Sequence, residues 1–271
     1  MPPEYIDIGA NLTHDSFDHD RDAVIERART VGVTRMIVTG ADLPLSHAAI
    51  ALAGEHPGLL YATAGVHPHQ AAGFSAATAR NIEALIERPE VVAAGECGLD
   101  YFRDFSPRSA QHEAFAAQIE LATKHTKPLF LHQREAHDDW LAILDEFGPR
   151  LPRAVVHCFT GTAAELDACL ERGFYIGITG WICDERRGRH LLDLVARIPA
   201  GRLMLETDSP YLLPRDLEPR PASRRNEPCW LPHIARTVAN ARGETPEETA
   251  AHTTAAAVAF FGLESQGLKL Q

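Results

Sequence analysis

Short apolar, β-branched runs alternate along the chain with longer segments that carry apolar residues at helical spacing. Each run is too short and too evenly apolar for a surface helix, which is typical of strands that are buried on both faces. The pattern therefore predicts a buried, mostly parallel sheet. The predicted strands are Tyr5–Ile8, Arg35–Thr39, Leu60–Val66, Val91–Glu96, Pro128–His132, Ala154–His157, Tyr175–Ile178 and Leu203–Asp208.

The segments between these runs predict amphipathic helices, and several carry start signals. Thr162 and Glu165 form a T-x-x-E capping box, and Thr245 precedes a proline at the first helical position. The stretch Leu212–Pro232 is rich in proline and arginine, which predicts a long loop after the eighth strand. The predicted helices are Arg21–Thr30, Ala76–Arg88, Gln111–His125, Asp138–Phe147, Glu165–Glu171 and a closing helix, Pro246–Phe261.

Strands that alternate with helices in this way form either a closed barrel or a doubly wound open sheet. An open sheet usually has a glycine-rich phosphate loop after its first strand. Here the first run is followed by Gly9-Ala10-Asn11-Leu12, which is no such loop. The length of 271 residues suits one barrel of roughly 250 residues. We therefore expect an α/β fold with a single (β/α)₈ TIM-barrel domain over residues 1–271.

Charge and cysteine content narrow the class of protein. The formal net charge is −11, which argues against a protein that coats nucleic acid by bulk electrostatics. It does not argue against an enzyme that contacts phosphate locally through a metal ion and a few arginines. The five cysteines form no C-x-x-C pair, and neither a signal-peptide pattern nor a membrane-length apolar run is present. We expect a cytoplasmic protein with reduced thiols and no membrane partner.

Polar residues follow the apolar part of several predicted strands. Glu96, His132, His157 and Asp208 end the fourth, fifth, sixth and eighth runs, and a His67-Pro68-His69 segment follows the third. Each residue alone also fits a hydrogen-bonded group at a strand end or in a turn. In a barrel, however, these ends converge on one face, so a shared site is favoured. Two imidazoles and two carboxylates are a ligand set for a divalent cation, which activates water and polarises a substrate oxygen.

Five motifs in this order resemble the TatD family of metal-dependent deoxyribonucleases, and the similarity runs from Asp7 to about Phe261. The resemblance implies an amidohydrolase-like TIM barrel and a divalent metal, usually magnesium. It also implies hydrolysis of DNA, often as a 3′-to-5′ exonuclease on single strands, with RNA an open alternative. The motifs are Gly65-Val66-His67-Pro68-His69, Gly95-Glu96-Cys97-Gly98-Leu99-Asp100, Leu131-His132-Gln133-Arg134, His157-Cys158-Phe159-Thr160-Gly161 and Glu206-Thr207-Asp208-Ser209-Pro210.

The resemblance also implies roles for single residues. The four strand-end residues Glu96, His132, His157 and Asp208 match the family's metal ligands, and His67 and Arg134 would face the scissile phosphate.

For the chemistry, we expect Asp208 to orient the attacking water or take its proton, with Glu96 and His67 also catalytic. Glu206 is a weaker candidate for the base, and the alternative is a partner of a ligand or a buried ion pair. His67 or His69 could protonate the leaving oxygen, although His69 could equally be an exposed loop residue. Arg134 would stabilise the negative charge on the phosphate, because a guanidinium group can donate two parallel hydrogen bonds to phosphate oxygens.

The proline- and arginine-rich loop could also contact the strand. We expect Arg225 to bind substrate, and Arg215, Arg220 and Arg224 could grip the nucleic acid in the same way. The alternative for these charged side chains is a solvated loop or a set of internal salt bridges.

One departure from the family concerns the number of metal ions. Many members have an H-x-H pair after the first strand that adds ligands for a second metal, and here Gly9 and Asn11 replace both histidines. We therefore expect one firmly bound ion, with a second site doubtful. The resemblance implies Mg²⁺, whereas a site with two histidines suits Mn²⁺ or Zn²⁺ equally well.

Two other functions remain open on the sequence. One is a metal-dependent esterase or amidohydrolase such as an aminoacyl-tRNA deacylase. Related amide hydrolases often carry a carboxylated lysine at the end of the fourth strand, where this chain has Glu96, and this weighs against that chemistry. The other is a non-catalytic metal-binding protein, but structural sites are normally closed by four ligands, often cysteines. The sequence leaves the oligomeric state open.

Overall fold

The computed structural model describes residues 3–263, and it is an eight-stranded parallel barrel surrounded by helices. Each strand pairs in parallel with the next along the chain, from β1 to β8. The two end strands approach each other through an Ala10–Ser209 bridge and a hydrogen bond from Asp208 N to Gly9 O (2.8 Å). The strands are β1 Tyr5–Ala10, β2 Val33–Val38, β3 Leu60–Ala64, β4 Val91–Asp100, β5 Leu129–Arg134, β6 Ala154–Val156, β7 Tyr175–Ile178 and β8 Leu203–Leu205.

The α-helices of the described residues are α1 Arg21–Thr30, α2 Leu43–Glu55, α3 Ala76–Ile86, α4 Arg108–Lys124, α5 His137–Phe147, α6 Ala163–Glu171, α7 Arg189–Val195, α8 Leu231–Arg242 and α9 Pro246–Phe261. The predicted barrel is thus confirmed. The prediction of a single domain also covers residues 1–2 and 264–271, which lie outside the described residues.

Three helices, α2, α7 and α8, were not predicted. The α2 sequence, LPLSHAAIALAGE, is apolar on most sides, so it has no clear polar stripe to mark it as a surface helix. The α7 helix has only seven residues. The α8 helix begins with Leu231-Pro232, inside the predicted loop Leu212–Pro232, so this loop prediction was two residues too long.

The barrel interior is filled by apolar side chains that stop below its mouth. Ile8, Phe130 and Met204 are fully buried members of this inner cluster, and α9 packs against it through Phe260. A second, larger cluster lies between the strands and the surrounding helices. The apolar layers fix the strands rigidly, so the residues at their carboxyl ends are held in a defined arrangement.

None of the helices in the described part of the chain is long and apolar enough to cross a membrane.

Candidate active site

The carboxyl ends of the strands open into a cavity of about 660 Å³. Seven of the residues predicted from the sequence line it together: His67, His69, Glu96, His132, Arg134, His157 and Asp208. The eighth, Arg225, is not among the lining residues. The site residues therefore come from β4 and β5 and from the segments that follow β3, β6 and β8.

Glu96 lies at the centre of this group and is 7% exposed. Its Oε1 atom lies 3.0 Å from His132 Nδ1, 3.4 Å from His67 Nε2 and 3.7 Å from His157 Nε2. The prediction placed Glu96 at the end of its strand, but β4 continues for four more residues to Asp100. Three imidazoles from three different segments thus converge on one carboxylate oxygen.

His157 is oriented by a buried carboxylate behind it. Its Nδ1 atom lies 2.6 Å from Glu206 Oε2, and Glu206 is fully buried. Because Nδ1–H donates to this carboxylate, the lone pair of Nε2 faces the cavity, towards Glu96 and towards Asp208 Oδ1 at 4.0 Å. Burial alone would lower the pKa of His157, but Glu206 and Glu96 raise this pKa to about 10. Carboxylate–imidazole pairs of this kind are common behind metal ligands.

Glu206 fits between two glycines. A Cβ atom at Gly9 would lie 2.5 Å from Glu206 Oε2, and one at Gly177 would lie 2.4 Å from Oε1. Glu206 Oε1 also accepts a hydrogen bond from Cys158 N (2.5 Å). The carboxylate therefore occupies the space beside Gly9, the position at which many family members carry a histidine.

His132 contacts a carboxylate at each ring nitrogen. Its Nδ1 lies against Glu96, and its Nε2 lies 3.2 Å from Asp100 Oδ2. Two acceptors beside one ring favour a doubly protonated imidazole, or a cation shared between the ring and a carboxylate. Burial lowers the pKa of His132, but the hydrogen bonds with Asp100 and Glu96 outweigh burial and raise this pKa above its ordinary value.

His67 has the opposite orientation to His157. Its Nδ1 atom accepts a hydrogen bond from His69 N (3.1 Å), so in the neutral ring the proton sits on Nε2, which points at Glu96. Burial lowers the pKa of His67 to about 4, and the ring is therefore neutral at pH 7. His67 can thus donate a hydrogen bond into the cavity from Nε2, whereas the Nε2 lone pair of a neutral His157 ring can bind a cation.

Asp208 lies at the edge of the group and its side chain is 20% exposed. Its Oδ1 atom accepts a hydrogen bond from Asn11 Nδ2 (2.9 Å). Burial raises the pKa of Asp208 to about 7, although the nearby His157 opposes this rise. Asn11, which replaces the second histidine of the H-x-H pair, thus holds a carboxylate in place.

The arrangement fits a divalent cation. Glu96, Asp100, Glu206 and Asp208 are four acidic groups within contact of the imidazoles, and among residues 3–263 no lysine or arginine side chain is hydrogen-bonded to any of the four carboxylates. The acidic groups beside His132 and His157 raise the pKa of both rings, which indicates an excess of negative charge that a cation would balance. At the barrel mouth, one potential ligand atom from each of His67, Glu96 and His132 lies within 4.8 Å of the other two.

The residues predicted to bind substrate lie in different surroundings. The guanidinium carbon of Arg134 lies 4.1 Å from the centre of the Phe102 ring at the cavity wall. His69 lies in the same wall, where its Nε2 atom is 2.9 Å from Asp100 Oδ2. Arg225 is instead held by ion pairs with Asp20 (2.7 Å) and Glu227 (2.9 Å) outside the cavity, so its placement gives no support to a role in binding.

Two buried acids near the site were not singled out from the sequence. Asp100 is 2% exposed and its Oδ2 atom contacts both His69 and His132. Its spacing of four residues from Glu96 was a usable signal, because residues at even spacing share one face of a strand. Asp7 accepts hydrogen bonds from Thr207 N (2.9 Å) and Thr207 Oγ1, and it thereby ties β1 to the segment that carries Asp208.

A parallel (β/α)₈ barrel with imidazoles and carboxylates gathered at its mouth defines the class of barrel hydrolases that can bind a metal ion there. The chain matches the TatD related DNase family over residues 6–262, and it belongs to that family, as its motifs predicted.

The 3′-5′ ssDNA/RNA exonuclease TatD of Erwinia billingiae is 55% identical over 257 residues, which cover 95% of this chain and 98% of that protein. The crystal structure of YJJV, a TatD homolog from Escherichia coli K12, superposes with a TM-score of 0.87 at 28% identity and covers 97% of this chain and all of that one. An uncharacterized amidohydrolase from Saccharomyces cerevisiae shares the fold, with a TM-score of 0.85 at 24% identity over 96% of this chain and all of that one.

Proposed function

We propose that this chain is a metal-dependent hydrolase that removes nucleotides from the 3′ end of single-stranded DNA and RNA. The observation that carries the proposal is the convergence of Glu96, His132, His157 and Asp208 at the barrel mouth. The choice of substrate is supported by the name and the 55% identity of the Erwinia billingiae relative. We also propose a cytoplasmic location, which suits five free cysteines.

Glu96, His132, His157 and Asp208 are the residues that we assign to the cation. A divalent cation, when bound, lowers the pKa of water and polarises a phosphate oxygen. Magnesium is the ion that the family resemblance implies, and a ligand set with two imidazoles also suits Mn²⁺ or Zn²⁺. We propose Mg²⁺ as the working ion, with one ion per chain.

Asp208 is the residue that we assign to accept the proton of the attacking water. Among the site carboxylates, its side chain is more exposed (20%) than those of Glu96 (9%) and Glu206 (0%), so water reaches it from the open cavity. Asn11 donates to Oδ1 and fixes the orientation of the carboxylate. A base in this position needs to lie within hydrogen-bond reach of the water.

His67 is the residue that we assign to donate a hydrogen bond to the leaving oxygen, because a neutral ring would have to become an imidazolate to give up the proton itself. The backbone N–H of His69 donates a hydrogen bond to His67 Nδ1. Because Nδ1 is the acceptor, the proton of the neutral ring lies on Nε2. The same tautomer makes His67 a poor ligand, because a metal needs the lone pair of Nε2. Arg134 supplies a fixed positive charge at the wall of the cavity, where a phosphate oxygen can be contacted.

A direct test uses protein stripped of metal and strands labelled at the 5′ end. After Mg²⁺ is added, we expect labelled single-stranded DNA and RNA to shorten stepwise from the 3′ end, and EDTA to stop the reaction. Glu96→Gln and Asp208→Asn should each lower the rate at least about 100-fold. Arg88→Gln, an exposed change away from the cavity, is the control. Unchanged cleavage in both site variants would refute the assignment.

A further inference from the structure

A second cavity, of about 310 Å³, lies beside the active-site cavity. Its walls come from the segment that follows β7 and from the long loop between β8 and α8. Trp181, Arg187 and Leu212 line both cavities, so the two are neighbours that share one wall. The second cavity is therefore the surface that a ligand extending past this wall would meet.

This second cavity is strongly basic. Four arginines line it, Arg187, Arg215, Arg220 and Arg224, against one carboxylate, Asp184. The chain as a whole carries a formal charge of −11, so the local excess of positive charge is not a property of the whole surface. We name it the arginine cavity.

Asp184 neutralises only part of this charge. Its Oδ2 atom lies 3.0 Å from Arg187 and 3.8 Å from Arg215. Arg220 and Arg224 form no hydrogen bond or ion pair with any other residue in the range 3–263. By contrast, Arg225 next to them is fully engaged by Asp20 and Glu227. Two guanidinium groups are therefore available to an anion.

The wall between the cavities adds an aromatic face. The guanidinium carbon of Arg187 lies 4.4 Å from the centre of the Trp181 ring, and Trp181 Nε1 donates to Arg187 O (3.3 Å). Aromatic faces and arginines arranged along one path are the features that bind single strands without reading their sequence. The arginines would take phosphates, and Trp181 would face the bases or sugars between them.

We propose that the arginine cavity binds the phosphates of the nucleic-acid strand on the 5′ side of the scissile bond. This inference rests on the proposed function, because a 3′ end in the first cavity directs the rest of the strand outwards. Arg220 and Arg224 supply the contacts, and Arg187 and Asp184 shape the entrance. The arginine cavity provides a local positive surface through which this acidic protein can bind a polyanionic strand. Strands long enough to extend from the active site into the arginine cavity should therefore be preferred.

The test compares the double variant Arg220→Gln/Arg224→Gln with the matched control Arg88→Gln/Arg150→Gln. Both remove two positive charges from exposed side chains, but Arg88 and Arg150 follow α3 and α5 at the opposite end of the barrel. The control therefore corrects for the change in net charge. The measurement is kcat/KM of the Mg²⁺-loaded enzyme on a thymidine dinucleotide and on an oligothymidylate of about ten nucleotides, over a range of salt concentrations.

In the cavity variant, we expect kcat/KM for the longer strand to fall about ten-fold, and its ratio to the value for the dinucleotide to fall at least about five-fold. The slope of log(kcat/KM) against log[salt] is negative, and it should become less steep by about 1.4, because each phosphate contact on a single strand contributes about −0.7. The control pair should keep the wild-type ratio and slope.

An unchanged ratio and slope in the cavity variant would overturn the inference and leave the proposed function standing. If the wild-type enzyme cleaves neither substrate, the proposed function fails instead. The salt slope of oligothymidylate binding, measured by fluorescence anisotropy with the same variants, then decides the inference.

Discussion

Glu206 gives the sharpest test of how the fold prepares the metal site. Glu206 does not line the cavity itself. It accepts a hydrogen bond from His157 Nδ1 (2.6 Å) and another from the backbone N–H of Cys158. We predict that Glu206→Ala weakens metal binding although no proposed ligand is removed. Without the carboxylate, His157 can exchange its tautomer and rotate, so Nε2 no longer presents a lone pair to the cation.

The expected loss of metal affinity can be placed within a known range. Loss of the partner behind a ligating histidine weakens metal binding by about 10- to 100-fold, which corresponds to about 1.4 to 2.8 kcal/mol. Glu206→Ala should lie at the upper end, because it removes a fully buried carboxylate and two hydrogen bonds at once. Glu206→Gln keeps the volume between Gly9 and Gly177, but its single carbonyl oxygen can accept from only one of the two donors. It should lie near the lower end.

The assay is calorimetric titration of metal-free protein with Mn²⁺, with thermal unfolding of the metal-free variants as the check on folding. Glu26→Gln, an exposed carboxylate on α1 paired with Arg29, is the control and should bind like the wild type. An affinity of Glu206→Ala within about two-fold of wild type would refute the claim that Glu206 orients the ligand. Equal losses in the alanine and glutamine variants would show that the complete carboxylate, and not the volume it fills, sets the affinity.

Three further predictions follow from the same geometry. His67→Gln should lower kcat by about 100-fold while Mn²⁺ affinity stays within about three-fold, because His67 is expected to donate and not to ligate; an equal loss of affinity would make it a ligand. Gly9→Ala should destabilise the fold by about 1–3 kcal/mol in chemical denaturation and weaken Mn²⁺ binding, since its Cβ would lie 2.5 Å from Glu206 Oε2; wild-type values for both would contradict the packing argument. Native mass spectrometry with Mn²⁺ should detect one tightly bound ion per chain, because Glu206 fills the space beside Gly9; two tightly bound ions would contradict this.

The order of strands and the meeting of the polar strand-end residues in one cavity could be predicted from the sequence, because a parallel barrel imposes both. Buried parallel strands must be short and apolar, and their carboxyl ends must meet on one face. Glu96, His132, His157 and Asp208 therefore lie together although they are far apart along the chain. The strand ends were less predictable: β8 stops at Leu205, and Asp208 follows it with a positive φ of 53°.

The tertiary pairing of charges could not be predicted in this way. Arg225 was expected to bind substrate, but its partner Asp20 lies 205 residues away, and no local pattern indicates that pair. Asp100 was overlooked for a related reason, since its contact with His132 depends on the register between β4 and β5. Its even spacing from Glu96 is visible in the sequence, whereas the tautomers of His67 and His157 follow only from the groups placed behind each ring.

The measurement that tests the central claim most directly is anomalous diffraction from a crystal of the protein soaked with Mn²⁺. We predict one strong peak at about 2.0–2.3 Å from donor atoms of Glu96, His132, His157 and Asp208. A peak that contacts none of these four would contradict the account. One such location is the separate cluster of Cys183, Asp216 and His233, whose donor atoms also lie within 4.8 Å of one another.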